Sequence, residues 1–139
     1  MMELGRGHAT STATPDAYFA RWIDHDTWPQ WSPDTEWVRV DGPVEVGTRG
    51  VLKPRGGPRV KFVISACTSG REYTDISRLP GARMVFQHTV EPAEHGCELH
   101  VRVTMEGPLA FVRSRIMGGG FRESVPADLD RLVRIVEQS

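Results

Sequence analysis

Residues 97–106 form the stretch that most constrains the fold, because apolar and polar side chains alternate along it without interruption. The polar positions are Glu98, His100, Arg102, Thr104 and Glu106, and the apolar positions are Leu99, Val101, Val103 and Met105. Successive side chains of a β-strand point to opposite faces of the sheet. The pattern therefore predicts an antiparallel strand with one oily face and one charged face.

Turn-forming residues divide the middle of the chain at intervals of roughly 10 to 15 residues, a spacing typical of a meander of antiparallel strands. Glycine supplies the positive φ and proline the fixed φ that chain reversals require. The turn signals are Asp41-Gly42-Pro43, residues 54–58, Ser69-Gly70, Pro80-Gly81, Glu94-His95-Gly96 and Gly107-Pro108. Strand alternation covers residues 60–67 and 84–90, with weaker candidates at 4–12, 36–41, 48–53 and 72–78.

A short helix is predicted near the N-terminus, after the first strand. Thr14 is a good capping residue, and Pro15 suits the first helical position. The helix is expected to run to about Ile23. The segment that follows, Trp28-Pro29-Gln30-Trp31, is expected to break regular structure.

A long helical region is predicted from near Pro108 to about Glu137. Its apolar stripe is formed by Val125, Leu129, Leu132 and Val136, spaced by four, three and four residues. The glycines at 118–120 lower helix stability, and Pro126 removes a helical hydrogen bond. We therefore expect a bent helix or two helices end to end, with Ser124 as a candidate cap for a second half.

Length and charge limit the function classes. The 139 residues are predicted to form a single domain over 1–139. With 17 basic and 18 acidic side chains, the net charge of −1 gives no electrostatic reason to expect nucleic acid as a partner. No apolar run approaches the roughly 20 residues that span a bilayer, and no secretory signal is visible. Cys67 and Cys97 fit no zinc or redox spacing, so a cytoplasmic protein with reduced thiols is expected.

Several stretches together resemble the polyketide cyclase/dehydrase and lipid-transport family of the START-related superfamily, also called SRPBCC. Residues 13–19 match its strand-to-helix step, and Asp24 to Pro33 matches its Asp…Trp-Pro-x-Trp-x-Pro segment. Val46-Gly47-Thr48 matches the entry to its third strand, and Gly96-Cys97-Glu98-Leu99 the start of its last. The resemblance covers nearly the whole chain, and its motifs are structural rather than specific for one activity.

The resemblance implies the α+β helix-grip fold, a curved antiparallel sheet of about seven strands around the long C-terminal helix. In family members a cavity lies between sheet and helix. Members bind lipids, sterols, plant hormones or polyketides. Some cyclise, aromatise or dehydrate a polyketide chain, and others only carry a ligand, so the fold does not choose between these functions.

Three residues are candidates for acid–base chemistry. His88 shares a strand face with Met84, Phe86 and Val90, and an imidazole in an oily pocket can move a proton near neutral pH. Tyr73 and Asp75 lie two apart on one strand and share a face. If that face is the outer one, they are ordinary solvated residues. The structural alternative for His88 is a core histidine bonded to a backbone carbonyl.

Other side chains are candidate walls or anchors for a hydrophobic ligand. Trp28 and Trp31 either stack on a flat ligand or pin their segment to the sheet, and Arg59 either anchors an anionic group or is solvated. The remaining candidates for the pocket wall are Phe62, Met84, Phe86, Met105, Met117 and Phe121. The histidines show no spacing typical of metal ligands, so no metal site is predicted.

Two functions follow as hypotheses. The first is a polyketide cyclase, aromatase or dehydratase-like protein, which needs no cofactor because proton transfer and enforced folding of the substrate suffice. The second is a non-enzymatic carrier or sensor of a lipid or other hydrophobic ligand. A third hypothesis is a protein–protein interaction module in which side chains fill the space between sheet and helix. Titratable groups that converge in the cavity favour catalysis. The sequence does not determine the oligomeric state, and a homodimer is possible.

Overall fold

The computed structural model describes residues 1–117 and 119–139, with every side chain in them except those of residues 116 and 117. Seven strands form one antiparallel sheet in the order β1-β7-β6-β5-β4-β3-β2. The strands are β1 (Met2–Ser11), β2 (Thr35–Val40), β3 (Arg49–Pro54), β4 (Val60–Thr68), β5 (Glu72–Leu79), β6 (Ala82–Ala93) and β7 (Gly96–Glu106). The predicted α+β helix-grip fold is confirmed.

The alternation in β7 has the predicted structural outcome. Leu99, Val103 and Met105 are fully buried on the inner face, while His100 on the outer face is exposed. When one face of a sheet is exposed to solvent and the other is apolar, the apolar face has to be covered by another layer. Here that layer is supplied mainly by the C-terminal helix, which packs on β1 and β7.

Helix α1 (Pro15–Trp22) begins as predicted, because the Thr14 side chain accepts a hydrogen bond from the Ala17 amide at 3.3 Å. A 3₁₀ turn (His25–Thr27) and a one-turn helix, α2 (Trp28–Trp31), follow. The expectation that Trp28 to Trp31 breaks regular structure is wrong. Pro29 sits in the first turn of α2, where its missing N–H costs no helical hydrogen bond.

The C-terminal helical region is divided into α3 (Ala110–Met117) and α4 (Phe121–Glu137). Gly119 and Gly120 form a turn between the two helices, whereas Pro126 lies inside the continuous helix α4. Ser124 is therefore a helical residue and caps nothing. The predicted stripe is buried at all four positions, Val125, Leu129, Leu132 and Val136. No helix among the described residues is both long and apolar enough to cross a membrane.

Close contact between β1 and α4 determines where a cavity remains between the sheet and the helix. A Cβ atom built on Gly5 would lie 2.8 Å from the Phe121 carbonyl carbon, and one on Gly7 would lie 3.1 Å from Leu129. The backbone of β1 thus touches the helix, which side chains at these positions would prevent. Towards β2, β3 and β4 the helix no longer covers the curved sheet directly, and the space between them forms the cavity.

Candidate functional site

A cavity of about 610 Å³ lies between the inner face of the sheet and helix α4. Its wall is mostly aromatic and aliphatic, and α1, α2, the strands from β2 to β7 and α4 contribute residues to it. The main apolar lining residues are Trp22, Trp28, Trp31, Leu52, Val60, Phe62, Met84, Phe86, Val101, Val103, Phe121, Val125, Leu129 and Leu132. A volume of this size suits a small organic molecule.

Polar groups enter this wall from two neighbouring strands, β5 and β6. Asp75 pairs with Phe86 in the register, Ser77 pairs with Met84, and Tyr73 pairs with His88. Asp75, Ser77 and His88 all line the cavity. Asp75 and His88 are diagonal neighbours on one face, so their Cα atoms are about 7 Å apart. The parity that the sequence left open for β5 is resolved by this pairing, because the neighbouring strand β6 has a clear inner face.

Asp75 is a buried carboxyl group, only 4% exposed. The Tyr73 hydroxyl donates to Asp75 Oδ2 at 3.0 Å. No ion pair in the described part of the chain includes Asp75. Burial raises the pKa of Asp75 to about 7, and the hydrogen bond from Tyr73 only partly opposes this. Protonated and ionised forms are therefore both populated near neutral pH.

His88 is buried beside Asp75, and the Trp22 ring centroid lies 5.4 Å from its ring centroid. Its Nδ1 lies 3.1 Å from the Tyr73 carbonyl oxygen. A carbonyl oxygen can only accept, so Nδ1 carries the proton and Nε2 carries a lone pair. Burial lowers the pKa of His88 to about 4, so the imidazole is neutral at neutral pH. The backbone-bonded state that the sequence offered as an alternative is present, and the ring still lines the cavity.

Tyr73 lies behind the wall rather than in it and joins Asp75 to a residue that the sequence did not reveal. The His25 Nε2 atom is 2.8 Å from the Tyr73 hydroxyl, and both side chains are buried. When Tyr73 donates to ionised Asp75, His25 must donate to the Tyr73 oxygen. Burial raises the pKa of Tyr73 and lowers that of His25, so both stay neutral. His25 could not be predicted because only the fold brings the 3₁₀ turn onto β5.

Of the predicted ligand-contacting residues, six line the cavity: Trp28, Trp31, Phe62, Met84, Phe86 and Phe121. Met105 does not, although it shares the inner face. It is fully buried in a smaller core cluster with Ala82, Met84 and Ala110. The prediction for Met117 falls on a side chain outside the described residues.

Arg59 also lies outside the cavity wall. Its guanidinium carbon is 5.5 Å from the centroid of the Trp37 ring, an arrangement typical of a cation–π contact. Arg55, four residues earlier in the same loop, lines the cavity instead, and its Nε donates to the Pro33 carbonyl at 2.8 Å. The conformation of the loop determines which arginine faces the cavity opening. A loop has no regular periodicity, so the sequence pattern does not predict this orientation.

The cavity opening is polar. Ser32, Asp34 and Asp128 line it together with Arg55. Ser32 donates to Asp128 at 2.9 Å, and Arg131 bonds both Asp128 and the Trp31 carbonyl. These bonds tie α2 to α4 and hold the rim in place.

Two indole N–H groups near the cavity have no hydrogen-bond acceptor among the described residues. Trp28 Nε1 donates to the Trp22 carbonyl at 3.1 Å. By contrast, Trp22 Nε1 and Trp31 Nε1 are buried and find no hydrogen-bond partner among the described residues. An unpaired buried donor costs about 1–3 kcal/mol. Neither nitrogen has accessible surface, so neither N–H group forms part of the cavity wall.

In the described part of the chain, the ligand-bearing side chains that lie close enough to share an ion are His8, Glu98 and His100, on the outer face of the sheet. In the cavity wall, the Asp75 carboxyl can give or take a proton and the His88 imidazole can accept a hydrogen bond. Tyr73 contacts Asp75 from behind the wall.

Comparison with known proteins adds a family and a set of similar folds. A family model described as "Polyketide cyclase / dehydrase and lipid transport" matches residues 6–137. No curated protein matches the chain by sequence. Protein MLL2253 from Mesorhizobium loti is 15% identical with a TM-score of 0.74, and the alignment covers 96% of each chain.

Two further solved structures are similar in fold. Ara h 8.0201 is 17% identical with a TM-score of 0.68, over 96% of this chain and 97% of that one. The di-domain ARO/CYC protein StfQ of the steffimycin biosynthetic pathway is 14% identical with a TM-score of 0.74, over 99% of this chain and 51% of that one. At such identities these likenesses establish the fold alone.

Proposed function

The chain belongs to the polyketide cyclase/dehydrase and lipid-transport family, and from that premise we propose that it binds an aromatic or polyketide-like molecule in its cavity and promotes cyclisation, aromatisation or dehydration. The fold is that of a family whose cavity takes hydrophobic ligands. The proposed chemistry is acid–base catalysis by Asp75 and His88, with Tyr73 positioning Asp75 and without a cofactor. We expect the protein to act in the cytoplasm.

The observation that carries the proposal is a carboxyl group at the wall of an apolar cavity, with no ion-pair partner among the residues that the structure describes. Burying an uncompensated carboxylate costs several kcal/mol. Asp75 is 4% exposed and lines the cavity, and among the described side chains it is the Tyr73 hydroxyl that hydrogen-bonds to it. Side chains with strongly perturbed pKa values in a cleft are typical of functional sites. A plain carrier of an oily ligand has no need of such a group.

Asp75 suits proton transfer at neutral pH because its pKa is raised by burial to about 7. In an aldol cyclisation, ionised Asp75 would take the proton from a carbon between two carbonyls. The resulting enolate carbon would then attack a second carbonyl carbon of the same chain. The new alkoxide would recover that proton from Asp75, so that one C–C bond forms and no co-reactant is consumed.

Dehydration would use the same group in two steps. Ionised Asp75 would remove the proton next to a carbonyl, and the C–O bond to the β-hydroxyl would then break. The proton held by Asp75 would leave with that hydroxyl as water. Neutral His88 would accept a hydrogen bond at Nε2 from an enol or hydroxyl of the substrate, and its position depends on the bond from Nδ1 to the Tyr73 carbonyl. Tyr73 acts as a positioning residue, since it contacts Asp75 and not the cavity.

The cavity walls support an aromatic or polyketide-like ligand over a simple alkyl chain. Trp22, Trp28 and Phe62 offer flat surfaces on which a planar ring can stack. The Ser77 hydroxyl and protonated Asp75, which line the cavity, offer donors for carbonyl oxygens, which a poly-β-ketone carries at regular intervals. A saturated lipid tail would leave these groups without a hydrogen bond from the ligand.

The direct test is turnover of synthetic poly-β-ketone thioesters of three chain lengths, followed by mass spectrometry of the products. We expect the wild type to favour one cyclised or dehydrated product over the spontaneous mixture. Asp75→Asn should lose at least ~100-fold of this rate while its affinity stays within about tenfold, roughly 1.4 kcal/mol. His88→Ala should also abolish turnover with affinity in that range, and the surface variant Asp130→Asn should behave as the wild type.

A carrier would give a different result. Binding of these thioesters without any change in the product mixture would overturn the catalytic proposal and favour transport. Full activity in both Asp75→Asn and His88→Ala would also overturn it. Native mass spectrometry of the protein isolated from its source would identify the bound molecule, and a saturated lipid there would contradict the proposed ligand class.

A further inference from the structure

Histidine and carboxylate side chains also meet on the outer face of the sheet, on the side away from the cavity. His8 on β1 lies directly opposite His100 on β7 in the strand register. Glu98 precedes His100 by two residues, so its side chain projects from the same face. The pairing of the first and last strands thus brings three side chains of metal-binding types to one point.

The geometry of this group is close to that of a metal site. Glu98 Oε1 lies 2.7 Å from His8 Nε2 and 3.3 Å from His100 Nε2. One ligand atom from each of the three residues falls within 4.8 Å of the others. Zinc holds imidazole nitrogens and carboxylate oxygens at about 2.0–2.1 Å in a tetrahedron, which places ligand atoms roughly 3.3 Å apart. Small side-chain rotations would meet that requirement.

We propose that His8, Glu98 and His100 bind one divalent transition-metal ion, with Zn²⁺ as the ion that the ligand set suits best. Two imidazoles and one carboxylate supply three ligands, and water completes the coordination. Imidazole selects zinc, copper or nickel over magnesium and calcium, which prefer oxygen ligands only. The ion would join β1 to β7 across the outer face of the sheet.

Neighbouring positive charge does not exclude an ion here. Arg6 and Arg102 lie next to the cluster on the same face, and both guanidinium groups bond the Glu3 carboxylate, at 2.7 Å and 3.0 Å. Glu3 lies on the far side of the arginines from His8, so it draws them away from the cluster and offsets their charge. The side chains of His8 and His100 are about half exposed, so solvent can supply the water ligand.

The test is a calorimetric titration of Zn²⁺ into chelator-treated, dialysed protein at neutral pH. We expect one equivalent to bind with a Kd in the micromolar range, about 10⁻⁶ M. His8→Ala and His100→Ala should each weaken binding at least ~tenfold. The matched control is His95→Ala, since His95 is exposed in the turn between β6 and β7, away from the cluster.

A second measurement separates a built site from loose surface binding. Saturating Zn²⁺ should raise the Tm of the wild type and of His95→Ala, because the ion binds only where the fold joins β1 to β7. It should not raise the Tm of His100→Ala. Binding weaker than about 1 mM in the wild type, or wild-type binding by the His8→Ala/His100→Ala double variant, would overturn the proposal.

Discussion

The two faces of the sheet carry the same kinds of ionisable side chain in opposite environments. On the inner face Asp75 and His88 are 4% and 6% exposed. Burial raises the pKa of Asp75 to about 7 and lowers that of His88 to about 4. On the outer face the hydrogen bond from His8 holds the pKa of Glu98 below its usual value, and roughly half of each side chain meets water.

This difference shows that solvent access, rather than residue type, decides what a carboxylate and a histidine can do. Inside the cavity no ion pair with another described residue compensates either charge, so burial shifts both groups towards their neutral forms. On the outside water and mutual contact stabilise the ionised carboxylate, which suits the group to attract a cation. The same antiparallel sheet positions both groups of side chains, because successive side chains of a strand point to opposite faces.

The largest effect that distinguishes the faces is the dependence of stability on pH. The folded pKa of Asp75, about 7, exceeds its ordinary value of 3.8. The folded state therefore binds more protons in this window, so the wild type loses stability as pH rises towards about 7. Asp75→Asn lacks this titration, so its stability relative to the wild type should rise by up to about 4 kcal/mol between pH ~4 and ~8.

Urea unfolding of Asp75→Asn and wild type across this pH range measures the difference. Comparing the two proteins matters because the lowered pKa of His88 acts in the opposite direction and is common to both. Asp130→Asn, an exposed position on α4, is the control and should follow the wild type at every pH. Parallel curves for Asp75→Asn and wild type would mean that Asp75 is not buried as described.

A smaller effect is expected where the inner face of β1 touches helix α4. A Cβ atom on Gly5 would lie 2.8 Å from the Phe121 carbonyl carbon and 3.1 Å from a Val125 methyl group. Because the obstacle includes backbone, Gly5→Ala should reduce the free energy of unfolding by about 2–3 kcal/mol. Gly119→Ala is the matched control, since nothing lies within 4 Å of a Cβ there. Equal stabilities of the two variants would contradict the close packing of α4 on β1.

Much of the fold could be predicted because its signals are local. Burial is indicated by the alternation in β7 and by the apolar stripe from Val125 to Val136, and the start of α1 by the cap at Thr14. Each of these signals lies in residues that are close together in the sequence. The helix break was predicted less well, since Pro126 near the start of α4 is tolerated and the turn at Gly119 and Gly120 lies between the two helices. In β4 a bulge after Ile64 ends the simple alternation, which no local pattern indicates.

The site could be predicted only in part, because distant segments build it. The inner face of β6 was visible from Met84, Phe86 and His88, and β5 inherits its orientation by pairing with β6. The contact of His25 with Tyr73 and the cluster of His8 with His100 join residues far apart in the sequence. No test of spacing along the chain detects such pairs, and the orientation of Arg55 and Arg59 depends on a loop.

The smallest predicted effect is a difference in ligand affinity between variants of those two arginines. It tests which of the two guanidinium groups lies at the cavity opening. Arg55 lines the cavity, whereas the Arg59 side chain lies over Trp37. Binding of 1-anilinonaphthalene-8-sulfonate, a flat aromatic anion, can be followed by its fluorescence. Arg55→Ala should weaken its binding about threefold, roughly 0.6 kcal/mol, because an exposed cation at the opening attracts the sulfonate only weakly through water. Arg59→Ala should leave the Kd unchanged, and equal weakening by both variants would place both guanidinium groups at the opening.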